Sequence, residues 1–346
     1  MIELNVRKSQ SLSILKKVSI ETFLVISPGW LTTVQDRGRF EHQGEGVPIS
    51  GVLDNYAYRV GNILLGQSED AACLEITFFG PKLEALHDTL IVICGADTSP
   101  ELNGAKIPMW TVITVRQGDI LAFNRSNNGC RSYLCVLGGI DVPEVMGSRS
   151  TFFRLKIGGL QGRGLVAGDR IFSFLIMNNI QNNKGISLPK EFIPVYESPA
   201  IIRVIWGPQD DYFDKKDGLK TFLESKYRVS TESNREGIRL IGPPIKIKSD
   251  MPKSIPSEAF PRGGIQVPAG GQPIIILNDS IGGGYAKIAH VITSDLPKVV
   301  QLVPGDSMQF KPITLPEAHE ILREEEKKIS RLVKIVSNGT LMHTID

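Results

Sequence analysis

The sequence predicts a mainly β protein with a few helices, organised as barrel-like sheets. Three observations lead there. Glycine (34) and proline (21) are frequent enough to punctuate a turn-rich chain. Short runs of β-branched and aromatic residues recur, each stopping at glycine or a polar residue. Three Gly-Asp dipeptides each lead into such a run: Gly118-Asp119 before ILAF, Gly168-Asp169 before RIFSF, and Gly305-Asp306 before SMQF.

Taken in order, residues 1–21 read as an N-terminal extension. Their charges are scattered and no small-residue cleavage site follows an apolar block, so a signal peptide is not expected. A helix is expected over 54–66, with Asp54 as N-cap, Ala57, Val60 and Leu64 on one stripe, and Gly66 as the stop. CLEITFF (73–79) alternates Leu74, Ile76 and Phe78 against Glu75, Thr77 and Phe79, the period of a half-buried strand. Further strands are expected at 89–95, 110–115, 132–139, 200–207 and 272–279. One or two short helices fit 210–226. Thr314 with Glu317 forms a capping box that opens a tail helix, with Leu322, Ile329, Leu332, Val333 and Val336 on one face. The polar stretch 177–192 reads as the main linker, and 249–264 as a long loop of the kind that is functional or mobile. The expected domains are an extension (1–21), a first β subdomain (22–180), a linker (181–199), a second β subdomain (200–312), and a C-terminal helix and tail (313–346).

At 346 residues the chain is two domains long on a prior of roughly 150 each. With 41% hydrophobic and 22% charged residues it can bury a core. Lys+Arg at 39 against Asp+Glu at 37 is too balanced for a nucleic-acid or polybasic membrane surface. No apolar run approaches 18 residues, so no membrane-spanning helix is expected and a cytoplasmic location is. Cys73, Cys94, Cys130 and Cys135 form no CxxC pair, and Cys73 and Cys94 sit in apolar runs; buried free thiols are expected.

Self-contained catalytic signatures are missing. No Gly-Lys dipeptide marks a phosphate loop, and neither HExxH nor GxSxG occurs. The five histidines lack metal-ligand spacing, so no metal site is expected. No Met-Lys dipeptide occurs, so no covalently attached biotin is expected either. This points to chemistry that needs a partner.

Four glycine-rich segments concentrate polar side chains. In 28–54, Asp36 with Arg37 and Arg39 makes either a salt-bridged turn or a ligand clamp, while Ser50 and Asp54 open a helix whose N-terminus either is simply capped or attracts an anion. In 233–244, Arg235 and Arg239 flank Gly237, as a bidentate anion clamp or as two solvated cations. In 259–273, Arg262 and Gln266 stand among glycines. In 278–295, Gly282-Gly283-Gly284 lets backbone approach a ligand, with Tyr285 and Lys287 on one side of the strand that follows.

These segments carry a resemblance. GWLTTVQDRGR, then GVPISGVLDNYAYRVGNILLG and CLEITFFGP, closely resemble the opening of the biotin-dependent carboxyltransferase family, also called allophanate hydrolase subunit 2. The resemblance continues through MGSRST (146–151), WGPQDDYF (206–213), NREGIRLIGPP (234–244), GGIQVPAGGQPIIILND (263–279) and GGYAKIAHVITSDLP (283–297), covering roughly 22–312.

It implies a cyclophilin-like, mainly β architecture and an obligate companion, a KipI-like protein. The implied function is the carboxyltransferase-like component of a heteromeric ATP-dependent 5-oxoprolinase. That component would work with the KipI-like protein and a LamB/YcsF-like protein, with ATP and Mg shared among the three. The alternatives are the carboxyltransferase part of a biotin-dependent urea or amide carboxylase, and a KipA-type antagonist of a KipI-like kinase inhibitor. For opening a lactam, ATP must activate the resonance-stabilised carbonyl, so cations near the oxygen and polar groups around a small carboxylate are needed. The residues expected there are Lys287 as electrostatic stabiliser, Gln266 and Tyr285 for hydrogen bonding, Arg235 and Arg239 for anionic charge, and Asp36, Asp54 and Ser50 around the anion. Two departures stand out. The family's Gln-Thr-Thr run is Ser280-Ile281-Gly282 here, which removes hydrogen-bonding side chains, and its Ala-Asn is Gly61-Asn62.

Overall fold

The computed structural model describes residues 18–176, 185–259 and 261–337, so most of the expected extension and the Asn-rich part of the linker lie outside the described residues. In the first half, β1 (Ser19–Ser27), β2 (Leu31–Gln35), α1 (Asn55–Leu64), β3 (Cys73–Thr77), β4 (Lys82–Ala85) and β5 (Thr89–Asp97) come first. Then follow β6 (Glu101–Leu102), β7 (Ala105–Lys106), β8 (Ile113–Val115), β9 (Ile120–Ala122), β10 (Asn128–Val136) and β11 (Arg170–Phe174). They make two antiparallel sheets, ordered β11-β1-β4-β9-β6-β7 and β2-β3-β10-β5-β8. Phe23, Leu74, Ile76, Leu83, Ile93 and Leu134 fill the space between the sheets. The other face of the second sheet is covered by α1.

The second half holds β12 (Ala200–Trp206), α2 (Lys220–Glu224), β13 (Tyr227–Val229), β14 (Gly237–Ile241), β15 (Glu258–Ala259) and β16 (Gly264–Val267). After these come β17 (Ile274–Ile276), β18 (Gly282–Gly283), β19 (Ala286–Val291), α3 (Leu296–Gln301), β20 (Ser307–Pro312) and α4 (Leu315–Ser337). Seven strands close into a barrel, ordered β12-β19-β16-β17-β14-β13-β20, and the ring is sealed by the parallel pair β12/β20. β15 and β18 stand apart as a two-stranded ribbon. The fold is thus the mainly β, barrel-containing architecture that the sequence predicts.

Local chemistry accounts for much of this. All three Gly-Asp turns are built alike: Gly118, Gly168 and Gly305 sit at φ of 87°, 88° and 97°, the left-handed region open to glycine. The following Asp119, Asp169 and Asp306 each accept the backbone N–H three residues earlier, at 2.7, 2.8 and 2.9 Å. Asp54 caps α1 through Ala57 N–H (3.0 Å), and Gly66 ends that segment in the left-handed region. Thr314 and Glu317 close the capping box of α4. All four cysteines are buried free thiols.

Several expectations need correcting. Ser19, Ile20 and Glu21, expected in the extension, pair with Phe174, Ser173 and Phe172 of β11. The 210–226 segment does hold a short helix, α2, preceded by a 3-10 turn over Asp210–Tyr212 and a π turn over Lys215–Leu219. Val333 is 39% exposed, and of the expected α4 stripe only Ile329 and Leu332 are fully buried. Most telling, β3 is buried along both faces. Its Glu75, set against Leu74 and Ile76 in the alternation, is 1% exposed. The barrel lies against that face, which no pattern within the strand encodes. Each half also lends packing to the other: Leu53 belongs to the barrel core, and α4 returns from the barrel to pack Ile329 and Leu332 beneath α1.

Candidate active site

On β16, Ile265 and Val267 enter the barrel core, which turns Gln266 to the outer face. Opposite, β19 slips register by one residue: Ile265 faces Ala289, yet Gln266 faces Lys287. This bulge lets both Ile288 and Ala289 enter the core and returns Lys287 to the outer face beside Gln266. Strict alternation would have sent Lys287 inward. The row extends further, because Gln266 also opposes Ile274 on β17, and Ile274 opposes Arg239 on β14. Arg239, Gln266 and Lys287 therefore share one face, the exposed Arg239 about 10 Å along from Gln266 at two strand spacings. Tyr285, 39% exposed, precedes Lys287 by one two-residue step.

Gln266 and Lys287 are nevertheless buried, 4% and 5% exposed. The β15/β18 ribbon covers them, with Glu258 opposite Gly283 and Ala259 opposite Gly282. A Cβ on Gly283 would stand 2.7 Å from Gln266 Nε2, so glycine is what allows this approach. From the flap, Glu258 ion-pairs with the Lys287 ammonium, which holds the Glu258 carboxyl below its usual range. Gln209 ties the two together: its amide donates to Glu258 Oε1 (3.0 Å), and its oxygen accepts the Lys287 backbone N–H (3.1 Å). Gln266 Nε2 is a buried donor with no hydrogen-bond partner among the described residues. Buried donors are rarely left so. Chemically, the arrangement presents a desolvated cation and a spare amide donor side by side, suited to a developing oxyanion or a small carboxylate.

The other four expected site residues are placed differently. Arg235, 6% exposed, donates to Asp279 Oδ2 (3.0 Å), to the Gly51 carbonyl (2.6 Å) and to Glu75. Its charge is neutralised by carboxylates from both halves, so it is a seam residue and not an open anion receptor. Asp54 accepts from Ala57 N–H, Gln301 Nε2 (2.8 Å) and Tyr196 Oη (3.0 Å). It acts as a cap and a docking point for α3. Burial pushes its carboxyl pKa up, against those three donors. Ser50 is fully buried at φ 53°, and its carbonyl accepts from Asn278 (2.6 Å). Asp36 accepts from Gly38 N–H, Arg149 N–H and the Ser148 and Ser150 hydroxyls, pinning the 146–151 loop. Arg262 reaches the Leu53 carbonyl in the same seam; burial lowers it to about 10, which leaves it charged at neutral pH. Expected ligand groups thus split into a flap-covered row and an internal polar seam.

Sequence reasoning missed Glu258 and Gln209. Glu258 lies in the 249–264 loop expected to be functional or mobile, and Gln209 in the WGPQ turn, but only the fold brings both onto Lys287. Gly207 makes that turn possible: a Cβ there would lie 2.3 Å from the Lys287 carbonyl.

Comparison with known proteins agrees with this architecture. The family model of the carboxyltransferase domain, subdomains A and B, matches residues 45–312. The chain belongs to that family. The C component of the Escherichia coli 5-oxoprolinase is 34% identical, over 89% of this chain and 96% of its own length. The urea amidolyase of Lachancea kluyveri is 37% identical over 90% of this chain, which spans only 18% of that protein. The crystal structure of the K. lactis urea amidolyase superposes with a TM-score of 0.84 at 35% identity, over 90% of this chain and 20% of that one.

Proposed function

We propose that this chain is the carboxyltransferase-like component of a heteromeric ATP-dependent 5-oxoprolinase, acting with a KipI-like protein and a LamB/YcsF-like protein. The observation that carries this is the 34% identity to the E. coli 5-oxoprolinase component over 89% of this chain, together with the buried ammonium and amide donor that Lys287 and Gln266 set side by side. In this reading Lys287 and Gln266 stabilise charge growing on the lactam oxygen, Tyr285 borders them, and Arg239 extends the cationic row. No cluster of three or more His, Cys, Asp or Glu with metal-holding geometry occurs among the described residues. In this reading ATP and Mg are shared with the partner proteins. No helix among the described residues is long and apolar enough to cross a membrane.

The test is reconstitution of the three proteins, followed by 5-oxoproline-dependent ATP turnover. Lys287→Met is expected to lower kcat by roughly 10²-fold or more, and the chain alone is expected to be inactive. Turnover by the isolated chain, or an unaffected Lys287→Met complex, overturns the reading. The second reading, carboxyl transfer to urea or another small amide, is favoured by the closeness of the urea amidolyase structure. It predicts that a biotin carboxylase and carrier, in place of the KipI-like and LamB/YcsF-like proteins, restore activity.

A further inference from the structure

We propose that Glu258 is an internal occupant of an oxyanion subsite, and that opening of the flap exchanges its carboxylate for the planar CO₂⁻ group of a reactant. The inference rests on the proposed function only in placing chemistry at Lys287.

The Lys287 ammonium is buried, so it needs a counter-anion while the flap is shut. Glu258 supplies it from the flap itself, and its own side chain is 44% exposed, so it is released into water at small desolvation cost. Swapping one carboxylate for another keeps the ammonium neutralised in both states. The flap is also weakly held. β15 and β18 are two residues each, their pairing rests on Gly282 and Gly283, and an isolated two-stranded ribbon is marginal.

The unpartnered amide identifies the incoming shape. Glu258 places Oε1 on both Lys287 Nζ and Gln209 Nε2, and leaves Gln266 Nε2 unmet. A planar CO₂⁻ has two oxygens, one for Lys287 and one for Gln266, the two cross-strand neighbours of the row. Such a group has two possible sources: the carboxylate of a 5-oxoproline-type substrate, or a one-carbon carboxyl delivered on a carrier.

The test titrates the full chain, without partners, by isothermal calorimetry. Glu258→Gln and Glu258→Ala remove the internal competitor and are expected to tighten acetate binding about tenfold or more, because a masked site binds in proportion to its open fraction. Lys287→Met is expected to abolish that binding. Two arms separate the sources. Tighter 5-oxoproline with unchanged 2-pyrrolidinone, which lacks the carboxylate, assigns the subsite to the substrate. Tighter bicarbonate with unchanged 5-oxoproline assigns it to a carried carboxyl group. Equal acetate affinity in wild type and both Glu258 variants, each folded by circular dichroism, overturns the inference. Binding is read without turnover, so failure of the 5-oxoprolinase assignment in the reconstituted complex leaves this result standing, and the reverse holds too.

Discussion

Arg235, on the loop entering barrel strand β14, ion-pairs with Glu75 in the middle of β3, so a guanidinium of one half is neutralised by a carboxylate of the other. Asp279 completes the pairing from the barrel side, and Tyr133 Oη and Leu53 N–H donate to the second oxygen of Glu75, both at 2.9 Å. Every partner is buried, which makes this seam sensitive to loss of one member and not to solvent salt.

Arg235→Met removes the guanidinium that both buried carboxylates contact and is expected to cost about 3–5 kcal/mol. Arg235→Lys should recover only part, because an ammonium cannot serve Glu75, Asp279 and the Gly51 carbonyl as a fork does. Urea unfolding midpoints check both. A methionine variant as stable as wild type would show that the halves are held by apolar packing alone.

Gly61 is explained by Cys135. An added Cβ would stand 2.6 Å from Cys135 Sγ and 3.4 Å from Cys94 Sγ. Alanine in a helix usually gains about 1 kcal/mol over glycine; here Gly61→Ala should instead destabilise by about 1–3 kcal/mol through overpacking. Combining it with Cys135→Ala should relieve the clash, so the double variant is expected to be more stable than the two single effects summed. Additive effects in chemical denaturation would sink this account.

Gly283→Ala places a methyl against Gln266 without a left-handed backbone to strain. The expected result is a fall in turnover of the reconstituted complex of roughly 10²-fold, the scale of an ångström's misplacement in a site, with the melting temperature almost unchanged. Equal turnover would remove Gln266 from the reaction.

Asp295 gives the pH dependence a sign. Burial alone would raise its pKa, but the Arg203 guanidinium and the Lys298 ammonium outweigh burial and hold it below the usual carboxylate range. A lowered folded-state value stabilises the fold above the unfolded pKa of about 3.9, and that contribution disappears as pH falls through the lowered value. Asp295→Asn lacks this contribution. Its melting temperature is expected to lie below wild type at neutral pH, with the two curves converging below about pH 4. Parallel curves would refute the assignment.

The candidate site was legible in parts. In the sequence, alternation predicts Tyr285 and Lys287 on one side, and the glycine triplet predicts backbone close to a ligand; the approach that the structure shows is of Gly283 to Gln266 of the same chain. The face-sharing of Gln266 and Lys287 was not legible, because it depends on a one-residue bulge that only pairing with β16 reveals. Nothing local to the 249–264 loop singles out Glu258, and the alternation of 73–79 indicates a half-buried strand without saying what meets Glu75. Their neighbours come from segments about 30 and 160 residues away in sequence.

By itself, the sequence determined the local structure: the three Gly-Asp turns, the caps of α1 and α4, the strand runs and the family, all written in contacts spanning a few residues. The tertiary structure alone decided which polar groups are bound to one another. Arg235, Asp54 and Ser50 became an internal seam because the barrel docks on β3 and removes their water, and Asp36 is taken up within the first half by the 146–151 loop, whereas Gln266 and Lys287 lie beneath a two-stranded ribbon. Short-range patterning sets where a side chain points, but its chemistry follows from the charges and solvent that distant segments bring to it or take away.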